Sequence, residues 1–275
     1  MISILLSMFA AQPTTERPLV VATYAYPDFD RGAALSPLAT LVERAAGRPA
    51  RIALFDTPDA LSEAVCAGQV DIAMTNLGSY VTMRDCDGVD PVAVLDTPPA
   101  VLDRYRGVLL ARSDAGVTSL AELPARQSAL HYSEVLPGST SGALVQAAQL
   151  RILGMVPSGF AARRQAGTHD KALDDLLSGR ASIAALAENP WRELQAADPA
   201  RAATLHLLWR SAPLPPGPVV CRNSGTLSCV GIRNALLSGT GAEIARSLAE
   251  GWTETKGAAR FRPYDESAYA PFKPQ

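Results

Sequence analysis

The sequence predicts an α/β protein of two lobes with a ligand cleft between them. Strand-like apolar segments alternate with amphipathic helical segments through most of the 275 residues, as in a mainly parallel sheet covered by helices. The alternation runs through two successive units, and the proline-dense stretch Ala212–Val220 (APLPPGPVV) predicts an extended connection back to the first. We therefore assign residues 19–111 and 215–275 to lobe 1 and residues 112–214 to lobe 2.

In lobe 1, short apolar runs bounded by turn residues predict strands. The strands are expected at Leu19–Tyr24, Arg51–Phe55, Asp71–Met74, Pro91–Leu95 and Tyr105–Arg112. Helices are expected at Leu35–Ala46, at Pro58–Ala67 and from about Gly78 onward, with two more at Leu227–Leu237 and Gly241–Gly251. Pro58 fits the first turn of its helix because the N–H that proline lacks has no helical partner there.

Lobe 2 repeats the alternation after Ser113. Helices are expected at Thr118–Leu123, Thr140–Leu153 and His169–Gly179, and strands at Ser128–Ser133, Ser182–Leu186 and Ala203–Ser211. Glycine ends the third helix, as is common at helix C-termini. The chain contains no internal repeat and no low-complexity block.

Composition excludes two classes of partner. The formal net charge is -2 and both signs are scattered along the chain, so no basic stripe predicts nucleic-acid binding. No apolar run reaches the roughly 18 residues expected of a membrane-spanning helix. With 48% hydrophobic residues the chain can bury a sizeable core.

The first segment, MISILLSMFAAQPTTERP, has features of an export signal. It is apolar and then ends in small residues, but the basic segment that normally comes first is missing, since Arg17 is the first positive side chain. We expect residues 1–18 to be part of such a signal, the alternative being an apolar terminus without that role. No cysteine follows the apolar run, so a lipid-anchored form is not indicated.

Four cysteines allow three pairings, and the sequence alone cannot select among them. The short separations favour Cys66–Cys86 and Cys221–Cys229, which an oxidising compartment would permit. Four buried free thiols are the alternative. None is spaced as C-x-x-C, so a zinc site or a dithiol redox site is not expected.

The stretch PGSTSGALVQAAQLRILG (137–154) places three hydroxyl residues, Ser139, Thr140 and Ser141, between two glycines and ahead of a predicted helix. Glycine lets a ligand approach the backbone, and the N-terminus of a helix offers unpaired N–H groups that suit an anion. His169 follows Gly167 and Thr168 at the start of another predicted helix, where its protonated form could donate to the same anion. A well-capped helix and a surface histidine are the structural alternatives.

Enzymatic motifs are weak or missing. GSTSG resembles the G-x-S-x-G nucleophile elbow, but Thr140 stands at the central position. The sequence has no Walker-type phosphate loop, and its histidines lack metal-ligand spacing. We therefore expect no enzymatic activity, no metal and no cofactor, and a Ser/His hydrolase is only a minor alternative.

Several segments, taken in order, resemble the phosphate/phosphite/phosphonate-binding periplasmic proteins of ABC importers, a branch of the type II periplasmic binding fold. The segments are GQVDIAMTNLGSYV (68–81), YRGVLLARSDAGVTSLAEL (105–123), GSTSGALV (138–145), GTHDKALDDLLSGRASIAAL (167–186) and RSAPLPPGPVV (210–220). They span roughly residues 19–240. The chain departs from the family at Asp56-Thr57-Pro58, where family members often carry an aromatic residue that covers the ligand.

The resemblance implies the type II fold and a non-catalytic role: an exported monomer that captures a small phosphorus oxyanion and delivers it to an ABC permease in the inner membrane. It implies that Ser139, Thr140, Ser141 and His169 hold the oxyanion from lobe 2, while Tyr80 reaches from lobe 1. Glu188 would face a substituent such as an amine, unless it is an exposed residue before the Asn189-Pro190 turn. A sensory protein of the same fold, for another small ligand, is the alternative role.

Overall fold

The computed structural model describes residues 17–225 and 227–272 and confirms the two-lobed α/β fold. The strands are β1 (Leu19–Tyr24), β2 (Ala50–Phe55), β3 (Ile72–Met74), β4 (Val89–Leu95), β5 (Gly107–Arg112), β6 (His131–Glu134), β7 (Ala162–Gln165), β8 (Ile183–Ala187), β9 (Leu205–Arg210), β10 (Val219–Arg222) and β11 (Phe261–Arg262). The helices are α1 (Arg31–Ala46), α2 (Pro58–Cys66), α3 (Leu77–Met83), α4 (Pro99–Leu102), α5 (Leu123–Arg126), α6 (Val145–Ile152), α7 (His169–Leu177), α8 (Glu188–Ala197), α9 (Pro199–Ala202), α10 (Cys229–Leu237) and α11 (Gly241–Ala249).

Each lobe has its own mixed sheet. Over the described residues, lobe 1 has a six-stranded sheet of order β11-β4-β10-β3-β1-β2, and lobe 2 a five-stranded sheet of order β7-β6-β8-β5-β9. The predicted "mainly parallel" arrangement is wrong, because β10 and β5 run antiparallel to their neighbours in both sheets. These are the strands that follow the crossings between the lobes, and each enters its sheet against the direction of the βαβ strands.

The predicted lobe boundary at residue 111 is also wrong by one strand. β5 pairs with β8 and β9, so the whole of Gly107–Arg112 lies in the sheet of lobe 2. The chain therefore crosses between β4 and β5, and it returns between β9 and β10.

Both sheets are covered by helices on both faces. In β1, Leu19 and Val21 pack towards α1, α10 and α11, while Val20 and Ala22 pack towards α2 and α3. Successive strand residues point to opposite faces, so a strand covered on both sides is apolar throughout. In lobe 2, α7 and α8 cover one face and α6 covers the other.

The two disulfides favoured by the sequence are confirmed. Cys66–Cys86 ties the end of α2 to the segment after α3, and Cys221–Cys229 ties β10 to the start of α10. Both bonds lie in lobe 1. Of the expected export segment 1–18, residues 1–16 lie outside the described residues. Within residues 17–225 and 227–272, no helix has the length and apolar character needed to cross a membrane.

Candidate ligand-binding site

A cavity of about 590 Å³ lies between the two lobes. It opens at the carboxyl ends of four strands, since residues that follow β1, β3, β6 and β8 line its walls. The carboxyl end of a parallel strand is the usual position for ligands in open α/β sheets, because loops from neighbouring strands meet there. The lobe-2 wall contains Ser139, Thr140, Ser141 and His169.

The three hydroxyl residues form the start of an irregular helix. Ser139 precedes a π-helical turn over Thr140–Leu144, which continues directly into α6. The first N–H groups of a helix have no acceptor within the helix, and π turns are often found at functional sites. All three side chains are buried against the cavity wall. The turn therefore offers hydroxyl and backbone N–H donors to one small volume.

Gly138 and Gly142, the two glycines of this turn, are needed for different structural reasons. Gly138 adopts φ +76°, and a Cβ there would lie 2.4 Å from a carboxylate oxygen of Asp59 in lobe 1. Gly142 lies inside the π turn, where a Cβ would come within 2.9 Å of Cε1 of His169. The first glycine thus allows the lobes to approach each other, and the second allows the imidazole to pack against the hydroxyl turn.

His169 is neutral and has a fixed tautomer. Its Nδ1 accepts a hydrogen bond of 2.9 Å from the backbone N–H of Ala187. Burial, together with the positive charge of Arg31, lowers the pKa of His169 to about 4. The single proton must lie on Nε2, because Nδ1 is acting as an acceptor. In the ligand-free protein the ring is therefore a neutral donor, and the expectation that a bound anion favours the protonated form stays a prediction.

Hydrogen bonds join the lobes around the cavity. The backbone N–H of Gly78 in lobe 1 donates to Oγ1 of Thr140 at 2.8 Å, and Nδ2 of Asn76 donates to the carbonyl of Gly138 at 3.1 Å. On the other side, the backbone N–H of His169 donates to the phenol oxygen of Tyr26 at 3.2 Å. Thr140 and Tyr26 accept in these bonds, so the hydrogen of neither hydroxyl is used in them.

Sequence reasoning missed several cavity residues, among them Tyr26, Arg31 and Tyr105. Burial raises the pKa of Tyr105 well above its usual value, and the charge of Glu254 raises it further. Hydrogen bonding to the hydroxyls of Thr140 and Ser141 acts in the opposite direction. Tyr105 therefore keeps its proton and lies beside the hydroxyl turn. Tyr26 and Arg31 follow β1, and the aromatic run YAYPDF at the carboxyl end of that strand was a signal for them.

Tyr80 does not reach the cavity. Its phenol donates to the phenol of Tyr264 at 2.7 Å, and its ring packs against Tyr264 and Tyr269 inside lobe 1. One helical turn separates it from Asn76, the N-cap of α3, and it is Asn76 that lines the cavity. Tyr80 therefore lies one helical turn beyond the cavity, in the core of lobe 1.

Glu188 is also directed elsewhere. Its side chain is fully buried and forms ion pairs with Arg192 at 2.9 Å and Arg210 at 2.5 Å. Its neighbours Ala187 and Asn189 line the cavity, but Glu188 is not among the described residues that do so. The sequence led us to expect that Glu188 either faces the ligand or is exposed, and neither position fits these ion pairs. β8 ends at Ala187, and Glu188 is the first residue of α8.

The arrangement suits binding and does not suit acid–base catalysis. A hydrolytic histidine must accept a proton at the nitrogen that faces the nucleophile, whereas Nε2 of His169 already carries one. Nδ1 is occupied by a backbone N–H and not by an orienting carboxylate. Among the described residues, no group of three His, Cys, Asp or Glu side chains could hold a metal ion. What remains is a set of hydrogen-bond donors that line one wall of the same cavity.

Comparison with known proteins agrees with this chemistry. A family model described as "ABC transporter, phosphonate, periplasmic substrate-binding protein" matches residues 26–269. A comparison with curated proteins gave no match. The family match covers both lobes and every residue of the cavity wall described above.

Solved structures share the fold at low identity. PhnD1 from Prochlorococcus marinus, in complex with methylphosphonate, is 16% identical with a TM-score of 0.63, over 92% of this chain and 94% of that one. A binding protein of an ABC phosphonate transporter from Pseudomonas aeruginosa is 19% identical with a TM-score of 0.65, over 93% and 84%. XAC2383 from Xanthomonas citri, bound to ATP, is 17% identical with a TM-score of 0.69, over 92% and 93%.

Proposed function

Since this chain belongs to the periplasmic phosphonate-binding proteins of ABC transporters, which are substrate-binding proteins and not enzymes, we propose that it captures a phosphorus oxyanion at the hydroxyl turn. The oxyanion accepts hydrogen bonds from Ser139, Thr140 and Ser141 and from Nε2–H of His169. The phenols of Tyr26 and Tyr105 complete the shell. The observation that carries the proposal is the convergence of two helix N-termini, three hydroxyls and a neutral imidazole on one cavity wall.

Binding favours the closed arrangement of the lobes. A ligand that touches both walls has higher affinity for the closed state than for the open one, and this difference shifts the population. We propose that the closed, loaded monomer then docks on an inner-membrane ABC permease in the periplasm. The role in uptake explains why the site binds without reacting: nothing in it activates water or a nucleophile.

The cavity is larger than methylphosphonate requires, so the ligand carries an organic substituent. Aromatic rings of Tyr24, Tyr26 and Phe29 line the remaining wall, and carboxyl groups of Asp170 and Glu254 lie on it as well. Such a wall suits an apolar or amine-bearing substituent on phosphorus. The ATP complex of XAC2383 is a reason to test nucleotides beside small phosphonates.

A thermal-shift screen tests the proposal. Ligand-free protein is heated with phosphate, phosphite, methylphosphonate, 2-aminoethylphosphonate, AMP, ATP, sulfate or taurine. A ligand that binds only the folded state raises the melting temperature by mass action. We expect a clear rise with at least one phosphorus compound and none with sulfate or taurine. No rise with any phosphorus compound would contradict the proposed function.

Two substitutions then locate the site. Thr140→Ala and His169→Ala each remove a donor to a charged ligand, which weakens binding by roughly 10- to 100-fold. Thr40→Ala is the matched control, because Thr40 is exposed on α1 and its hydroxyl donates within its own helix. If both site variants bind the ligand as tightly as the wild type does, the lobe-2 wall is not the oxyanion site, even if the protein binds a phosphonate.

A further inference from the structure

Arg31 contributes a buried positive charge to the cavity wall. The residue is only 4% exposed, yet it lines the cavity. The other cationic residues described on that wall, Arg104 and Lys256, are both exposed. A guanidinium is permanently charged, and burial of a charge is costly unless it is paired. Arg31 therefore needs a partner.

The fold supplies hydrogen-bond acceptors to Arg31 but no countercharge. Its Nε donates to the carbonyl of Gly251 at 2.8 Å, and its Nη1 donates to the carbonyl of Tyr24 at 3.1 Å. Among the described residues it forms no ion pair within 4.0 Å. Two of its five N–H groups are used in these bonds, which leaves donors for a ligand.

The guanidinium is held rigidly. Its Cζ lies 4.1 Å from the ring centroid of Tyr24 and 4.5 Å from that of Trp252, in the range of cation–π contact. The ring of Tyr26 lies 5.2 Å away, and the same ring is 6.4 Å from that of His169. Arg31 is thus close to the lobe-2 donors across the cavity. Its positive charge acts on them, since it contributes to the lowered pKa of His169.

Carboxyl groups on the cavity wall form no ion pair with Arg31 among the described residues. Asp28, Asp170 and Glu193 are exposed, so water screens them. Glu254 is partly buried; burial raises its pKa, and the charge of Arg31 acts in the opposite direction. Arg31 thus has a carboxyl group nearby but no direct ion-pair partner, and it lies opposite a wall of hydroxyl and imidazole donors.

We infer that Arg31 is the charged anchor of the ligand site, which makes the protein select the doubly charged form of a phosphonate over its singly charged monoester. The hydroxyl turn and His169 recognise the shape of the oxyanion, and Arg31 recognises its charge. This inference rests on the proposed function, since it assumes that a phosphorus oxyanion occupies the cavity.

Isothermal titration calorimetry with two probes tests the inference. Methylphosphonate at about pH 8.5 is a dianion, whereas its monomethyl ester is a monoanion of similar size. Arg31→Gln removes the charge and keeps a donor group. We expect it to weaken methylphosphonate binding about 30-fold, in the range of a lost charge-assisted hydrogen bond, and to weaken the monoester much less. Arg51→Gln is the control, since it makes the same substitution at an exposed residue of β2 that does not line the cavity, and we expect a change below about threefold.

The outcomes separate the two proposals. If the wild-type protein binds neither probe nor any other phosphorus compound of the panel, the proposed function fails and this inference fails with it. If the wild-type protein binds methylphosphonate and Arg31→Gln binds it equally well, only the role of Arg31 is overturned. An equal loss for both probes, with a lowered melting temperature of the ligand-free variant, identifies Arg31 as a structural residue and also overturns the inference.

A second variant covers the case in which Arg31→Gln does not fold. Arg31→Lys keeps a charge, but its compact ammonium group cannot occupy the position of the guanidinium beside the ligand while it also donates to the two backbone carbonyls. We expect methylphosphonate affinity to fall about tenfold while monoester affinity stays within threefold. An equal loss for both probes, or no loss for either, contradicts the assignment.

Discussion

Acidification should destabilise the ligand-free protein through His169. Burial lowers the pKa of this histidine to about 4, from an ordinary value of 6.5 in the unfolded chain. Between these two values the unfolded chain binds more protons than the folded protein, so the free energy of unfolding decreases as the pH falls. The stabilisation from this group is complete above the unfolded value and is lost progressively towards about pH 4.

The magnitude follows from the size of the shift. Each pKa unit corresponds to about 1.4 kcal/mol, so the full effect is about 3 kcal/mol, of which about 2 kcal/mol is lost between about pH 7 and about pH 5. That loss is a substantial part of the stability of an ordinary domain. It should be visible in urea unfolding followed by tryptophan fluorescence, after ligand has been removed by unfolding and refolding.

His169→Asn supplies the comparison. The amide oxygen of asparagine can accept from the N–H of Ala187 as Nδ1 does, but the side chain does not titrate. Every other titrating group is present in both proteins, so the difference in pH dependence isolates His169. We expect the variant to lose about 2 kcal/mol less than the wild type between about pH 7 and about pH 5. Equal losses in the two proteins would refute the argument that a buried neutral imidazole stabilises the site.

Three further predictions concern the turn, the lobe contact and the disulfides. Gly142→Ala should lower the melting temperature and weaken ligand binding at least tenfold, because the added Cβ would lie 2.4 Å from Cγ2 of Val135 and 2.9 Å from Cε1 of His169; Gly239→Ala, with no atom within 4 Å of the added Cβ, is the control. Tyr26→Phe removes the acceptor of an interlobe hydrogen bond worth about 1 kcal/mol, so small-angle scattering of the ligand-free protein should show a larger radius of gyration. Replacing Cys66 and Cys86 by serine should lower the free energy of unfolding in urea by about 3 kcal/mol, and reductant should then have a smaller effect on the variant than on the wild type.

The fold was predictable from the sequence where local signals agreed. β1 begins and ends at the predicted residues because an apolar run of six residues is bounded by proline and polar turns. β7 was missed because its four residues are all exposed and three of them are polar, which gives no alternation to detect. α8 was missed because Asn189-Pro190 was interpreted as a turn, although proline is tolerated in the first turn of a helix.

Prediction of the site had a different limit. Ser139–Ser141 and His169 could be predicted from their immediate sequence neighbours, because each lies next to glycine or hydroxyl residues at the start of a predicted helix. The structure brings all four to one cavity wall. Arg31 and Tyr105 carry no such signal, because they meet the turn only through the crossing of the chain between lobes. Tyr80 was misassigned because sequence spacing does not show which side of a short helix faces the core.

The hydroxyl of Thr140 links recognition of the ligand to closure of the lobes. Its oxygen accepts from the N–H of Gly78 in lobe 1, and its own O–H, which lies beside the phenol of Tyr105 on the cavity wall, is not used in that bond. A hydroxyl that accepts one hydrogen bond donates a stronger one, because the two bonds polarise each other. Closure therefore improves the donor that the ligand needs, and a bound anion in turn strengthens the contact that holds the lobes together. The same logic applies to Tyr26, whose phenol accepts from the backbone of His169. Two side chains, one from each lobe, thus make the closed state and the bound state favour one another.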